Sequence, residues 1–118
     1  MLFYESLTVY KKSFLINKEI YKFLKQNKSI PSYMKNQLGR AWLSIMLNIA
    51  EGTAKSSSKD KRNFFTTARG STFECASLIK FLASENEIPE ELATSSYSSF
   101  EEISKMLFAM IKNLNKNE

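Results

Sequence analysis

Residues 44–62, SIMLNIAEGTAKSSSKDKR, hold the reading that decides the fold. Met34, Leu38, Ala41, Trp42, Ile45, Asn48 and Ile49 recur at the spacing of one helical face, which predicts a helix over residues 32–51. Gln37, Arg40, Ser44 and Glu51 form a polar line beside that face. Gly52 is the expected stop, because glycine alone takes the left-handed cap conformation cheaply. Ser56, Ser57 and Ser58 then offer alternative N-caps for a following helix. The stretch reads as one helix ending, a basic corner, and another helix beginning.

Three more segments carry the same repeat. Over residues 6–26, Leu7, Tyr10, Phe14, Tyr21 and Leu24 form one stripe, and Val9, Ile16, Ile20 and Phe23 a second. Together they cover an arc of about 200°, wider than a surface helix needs. Pro31 closes this helix, and Ser32 is the expected cap of the next. Over residues 58–85 the core face is Phe64, Phe65, Ala68, Ser71, Thr72, Cys75, Leu78, Ile79 and Leu82. Gly70 costs about 1 kcal/mol in a helix interior relative to alanine, so close packing is expected there. Residues 87–94 read as a connection. The fourth helix is expected to begin at Ser98 or Ser99, each followed three residues later by a glutamate, and to pack through Phe100, Ile103, Leu107, Met110 and Leu114. Four long helices with short connections predict an all-α, antiparallel up-down-up-down four-helix bundle, a single domain over residues 1–118.

Composition narrows the chemistry. The 118 residues contain no histidine and one cysteine, Cys75. Imidazole catalysis, Ser-His-Asp triads, imidazole metal sites and cysteine-rich zinc sites are thereby excluded, as is an internal disulfide. No glycine-rich phosphate loop occurs. A non-enzymatic protein without metal or cofactor is expected. No signal peptide or membrane-length apolar run stands out, and the lone thiol fits a reducing cytoplasm.

The net charge of +5 hides an asymmetry: through Arg69, 13 Lys/Arg face 4 Asp/Glu, a balance of +9. From Gly70 onward, 4 lysines face 8 glutamates, a balance of −4. Such a split suits a polyanionic partner for the front half, or complementarity between copies of the chain. Lys55, Lys59, Lys61 and Arg62 cluster at the corner after the second helix. Arg62, Arg69 and Lys80 align with Phe73 on the third, and Lys11, Lys18 and Lys22 form a stripe on the first. With Arg40 these are the candidate nucleic-acid contacts, recognising backbone or shape, since no base-reading motif is present. For any one lysine, a solvated face is the simpler account.

Leu15, Leu47, Phe73, Phe81 and Phe108 project away from the expected core. Their burial between copies, worth about 1.5–3 kcal/mol each, predicts a homo-oligomer. Asn48 suits a register-fixing interior asparagine. Glu51, near a helix C-terminus, opposes the helix dipole and so calls for a partner among Arg40, Lys55, Arg69 and Ser71. A structural network of Ser44, Asn48, Glu51, Ser71 and Glu74 is the favoured reading over a ligand site.

RAWLSIMLNIAEG (residues 40–52) and FFTTARGSTFE (residues 64–74) resemble the bacterial four-helix-bundle family named for proteins encoded in 23S rRNA intervening sequences. The family pattern Arg-Ala-x-x-Ser-Ile-x-x-Asn-Ile-Ala-Glu-Gly is matched at Arg40, Ala41, Ser44, Ile45, Asn48, Ile49, Ala50, Glu51 and Gly52. Phe-x-x-x-Ala-x-Gly-Ser-x-x-Glu is matched at Phe64 (or Phe65, with the spacing shifted), Ala68, Gly70, Ser71 and Glu74. LTVYKKS (residues 7–13) is similar to the family's opening, with Tyr10 in place of tryptophan. Met34 departs from the acidic residue that follows Phe-Pro-x-x in the family. The resemblance implies an antiparallel four-helix bundle and ring-shaped pentamers. A related branch, the accessory proteins of diversity-generating retroelements, binds nucleic acid and a reverse transcriptase, so RNA or DNA and a reverse transcriptase or other protein are the implied partners. The competing expectation is a protein–protein scaffold anchored by Phe73, Phe81 or Phe108. An enzyme using Glu51 and Glu74 as paired carboxylates has the least support.

Overall fold

Apolar residues every three to four positions place four amphipathic helices in the chain, and the punctuation between them sets their limits. The computed structural model describes residues 1–116. A single 3-10 turn, Phe3–Ser6, precedes α1 (Thr8–Gln26), α2 (Ser32–Ala54), α3 (Ser58–Ser84) and α4 (Glu90–Lys116). α1 ends at Asn27, whose Oδ1 accepts from the N–H groups of Ser29 and Ile30, both at 2.9 Å. Pro31 occupies the N-cap position expected of Ser32, which is the first helical residue instead. Ser57 caps α3, its Oγ accepting from Asp60 N at 3.1 Å. This satisfies one of the orphan N–H groups at the helix start.

Two boundaries differ from the sequence expectation. α2 runs through Gly52 to Ala54, and no glycine has positive φ. Gly52 is buried because α3 crosses it: a Cβ there would lie 2.5 Å from Phe65 Cε1. At Gly70, by contrast, a Cβ would meet nothing within 4 Å, so close packing does not explain that residue.

α4 begins two turns ahead of Ser98, at Glu90. The left-handed residue is Asn86 (φ 58°), with Asn86 N bonded to Ala83 O and Glu87 N to Leu82 O, a Schellman termination of α3. Pro89 then leads into α4, where Glu90 and Glu91 in the first turn suit the positive end of the dipole. The first turns of α4 bury small residues, Ala93 and Ser96, so they lack the bulky periodicity that marks a helix in sequence.

α1 packs on α2 and α4, and α3 packs on the same two, so sequence neighbours are antiparallel and the diagonals stay apart. The molecule measures 47 × 25 × 22 Å. Ser29 Oγ donates to Glu87 Oε2 at 2.7 Å, tying the α1–α2 and α3–α4 turns together at one end. The basic α2–α3 corner lies at the other. Ile20, Leu38, Ile45, Ile49, Ile79, Phe100, Ile103 and Leu107 fill the centre. Phe65 rather than Phe64 is buried, and Phe14 and Tyr21 stand outside the core while Ser13 and Asn17 are inside it. The wide apolar arc of α1 thus serves the core over only part of its width. Among the described residues no helix is long and apolar enough to cross a membrane.

Candidate functional site

At the α2–α3 seam the motif residues lie together. Ser71 Oγ donates to Ser44 Oγ at 2.7 Å, while Asn48 Nδ2 donates to the Ser44 carbonyl at 2.8 Å and to Ser44 Oγ at 3.0 Å. Glu74 accepts from Gln37 Nε2, one helical turn along the same seam. Glu51 is exposed and, among the described residues, makes no hydrogen bond or ion pair. Its position one turn before the end of α2 points it to solvent, away from Arg40, Lys55, Arg69 and Ser71. The half-buried Ser44–Asn48–Ser71 cluster therefore stands without it.

The candidate cations divide into engaged and open groups. Arg69 is the most confined: its Nε donates to the Ser104 carbonyl at 3.2 Å, and its guanidinium lies 4.8 Å from the Phe73 ring and 5.1 Å from Phe108. Two of the five surplus apolar side chains thus sandwich a cation across the α3–α4 seam, a cation–π arrangement. Arg62 donates to Asn115 Oδ1 at 2.9 Å, and Lys80 lies 5.9 Å from the Tyr97 ring. The α3 stripe is therefore held by α4 along its length. Between these helices runs a groove of about 640 Å³, lined by Arg69, Phe73, Lys80, Tyr97, Glu101 and Lys105 among others.

At the corner, Lys55 sits 5.0 Å from the Phe64 ring and Lys61 donates to the Thr53 carbonyl at 3.2 Å. Lys18 lies 5.9 Å from the Phe14 ring. Lys11, Lys22, Arg40 and Lys59 project into solvent. Leu15, Leu47, Phe73, Phe81 and Phe108 are each between 51% and 64% exposed. They do not form one face: Phe73 and Phe108 flank Arg69, whereas Leu15 is on α1 and Leu47 on α2.

Among the described residues no three His, Cys, Asp or Glu side chains gather as a metal site would require. Cys75 is fully buried, and burial pushes its thiol far above the ordinary range, the protonated and unreactive state.

Sequence reading missed a cleft between α1 and α2. Phe14, Asn17, Lys18 and Tyr21 face Trp42 and Met46 there. Asn17 Nδ2 donates to the Trp42 carbonyl at 3.2 Å, but Asn17 Oδ1 and Trp42 Nε1 are buried with no partner. Asn17 carried a signal, a polar residue on the core stripe of α1 between Ile16 and Ile20. That Trp42 lies opposite it depends on how the two helices pair.

No curated protein matches the chain. Among solved structures it is similar to a protein of unknown function from the S23 ribosomal protein family of Bacteroides thetaiotaomicron VPI-5482. The identity is 28% and the TM-score 0.81, over 89% of this chain and 99% of that one. The sequence profile of the 23S rRNA-intervening sequence proteins matches residues 5–109, taking in the α2 motif, the Ser44–Asn48–Ser71 cluster and the α3–α4 groove alike. The chain belongs to the 23S rRNA-intervening sequence protein family.

Proposed function

We propose that this chain is a non-enzymatic protein that assembles with copies of itself, as a pentamer by family resemblance, and binds RNA or structured DNA through the basic surface that assembly repeats. The observation that carries the reading is the state of the cations. The sequence has 17 Lys/Arg, yet Lys12–Glu102, at 2.6 Å, is the sole ion pair among the described residues. Arg62 aside, none of the candidate cations meets a carboxylate there; they meet rings, carbonyls or solvent. Rings and carbonyls hold several of these cations in place without neutralising them. Left unpaired, they release counterions when a phosphate chain binds, and a repeated surface multiplies that effect.

Filter binding of labelled RNA and duplex DNA at two salt concentrations tests the reading. Retention at low salt that falls steeply as salt rises is expected; no retention, or indifference to salt, refutes it. Light scattering tests assembly, and a monomer at micromolar concentration would remove the repeated surface. The second reading is a protein–protein scaffold, favoured by the exposed Phe73 and Phe108 rings. A partner that stays bound through high salt and nuclease treatment would support it.

A further inference from the structure

The cleft between α1 and α2 combines three features. Aromatic rings and lysines alternate along it. Phe14 and Tyr21 are 42% and 51% exposed, Lys18 lies over the first ring, and Lys25 Nζ is 5.7 Å from the second. Tyr10 continues the row, its ring 6.2 Å from Phe14, and Trp42 meets Tyr21 edge-on at 6.1 Å. Opposite, α2 presents Lys35, Gly39, Trp42 and Met46, one to a turn. Tyr21 and Trp42 are shared by two adjoining hollows of about 200 and 280 Å³.

The second feature is Gly39. A Cβ there would touch nothing, so neither backbone conformation nor core packing demands glycine. Its effect is to leave the α2 wall bare beside Trp42. The third is the unpartnered pair, the Asn17 Oδ1 acceptor and the Trp42 Nε1 donor, on residues that line one hollow. Buried polar atoms are paired in the great majority of cases, so two orphans at one cleft point to a group that completes them.

We propose that this cleft receives the unstacked bases of a single-stranded nucleic acid. The inference rests on the nucleic-acid reading above and names the form bound and the place. Bases stack on aromatic faces whatever their sequence, and flanking lysines hold the connecting phosphates. A base edge carries both donors and acceptors, so it can serve an orphan acceptor and an orphan donor that belong to one hollow. Both orphans are buried in the free protein, so a base reaches them only when side chains that line the hollow, the exposed Phe14 and Tyr21 rings among them, move aside. No carboxylate lines either hollow, which sets the cleft against a cationic ligand. A paired base cannot enter a gap between two helices, which sets it against duplex.

Trp42 is the only tryptophan, so its fluorescence reports on this cleft alone. The full chain is titrated at low salt with an end-labelled oligouridylate of about 15 nucleotides and with a duplex of equal length, read by anisotropy and by Trp42 emission. The single strand is expected to quench Trp42 and to bind more tightly than the duplex. Tyr21→Ala should weaken the single strand by roughly 5- to 100-fold, the range of one lost stacking contact. Gly39→Leu, whose Cβ meets nothing within 4 Å and whose longer side chain narrows the hollow, should do the same while circular dichroism and melting temperature are unchanged or improved. Single-strand binding with Trp42 unquenched and both variants unaffected overturns the cleft while leaving the nucleic-acid reading in place. Equal binding of duplex with the same sensitivity overturns the single-strand assignment. No anisotropy change with either probe overturns both readings. Quenching by polyglutamate with the same dependence on Gly39 makes the cleft a peptide site and overturns the inference.

Discussion

Two glycines in helix interiors should respond in opposite ways to the same substitution. At Gly70 an added methyl group meets nothing within 4 Å, so Gly70→Ala gains helix propensity and stabilises by about 0.8–1 kcal/mol. At Gly52 the same gain is opposed by contact: the new Cβ would stand 2.5 Å from Phe65 Cε1, 2.9 Å from Cδ1 and 3.2 Å from Phe64 Cβ. The Phe65 ring is 4% exposed and hemmed in by the core, so it cannot swing clear into solvent. Overpacking of this kind costs about 1–3 kcal/mol, which leaves Gly52→Ala destabilised by up to about 2 kcal/mol after the propensity gain. The two variants should therefore separate by about 2 kcal/mol in urea melts followed by far-UV circular dichroism. All melts need one protomer concentration, since assembly would add to apparent stability. Phe65→Leu should relieve the clash, so that Gly52→Ala costs less in that background, a coupling of about 1 kcal/mol or more. If Gly52→Ala stabilises as much as Gly70→Ala, the close approach of α3 to α2 at this position is wrong.

The remaining expectations concern assembly, the buried thiol and the motif cluster. Phe108→Glu and Phe81→Glu place charge on exposed positions, so light scattering should show mass moving toward monomer with helicity intact; loss of helicity would put those rings in the core. Cys75 should resist thiol reagents in the folded protein and react only as it unfolds, because burial raises its pKa. Since the unfolded thiol ionises near its ordinary value of 9.0 and the folded one does not, the unfolded state binds fewer protons above that pH. Stability should then fall as pH rises past 9.0, and Cys75→Ser should flatten that dependence. Ser71→Ala removes the bond to Ser44 and should cost about 0.5–1.5 kcal/mol. Asn48→Ala should add less than its single-variant cost in that background, and strict additivity of the two would dissolve the cluster.

The helices were legible because their codes are local. Apolar residues every three to four positions, Pro31 and the Ser57 cap act within a few residues of where they stand, so α1, α2 and α3 begin within two residues of expectation. The start of α4 was not legible: Ser98-x-x-Glu101 and Ser99-x-x-Glu102 look like capping boxes, but both lie inside a helix whose first turns bury Ala93 and Ser96 rather than large side chains. The site was legible in part. Ser44, Asn48 and Ser71 were grouped from the sequence, whereas Glu51 is exposed and meets none of the partners expected of it among the described residues. Arg69 was placed beside Phe73 by helical spacing; that Phe108 closes on its other side required α4.

Composition and periodicity by themselves determined four amphipathic helices, an excess of cations toward the N-terminal half, and no histidine for imidazole chemistry, because each is a property of residue type or of spacing along one helix. Which glycine is crossed by a neighbour, which lysine finds a ring, and which polar atoms of Asn17 and Trp42 are left without partners were decided only by the tertiary structure. Those outcomes turn on the rotation and offset of one helix against another. Burial energy sets these summed over whole faces, so no single stretch of sequence specifies them.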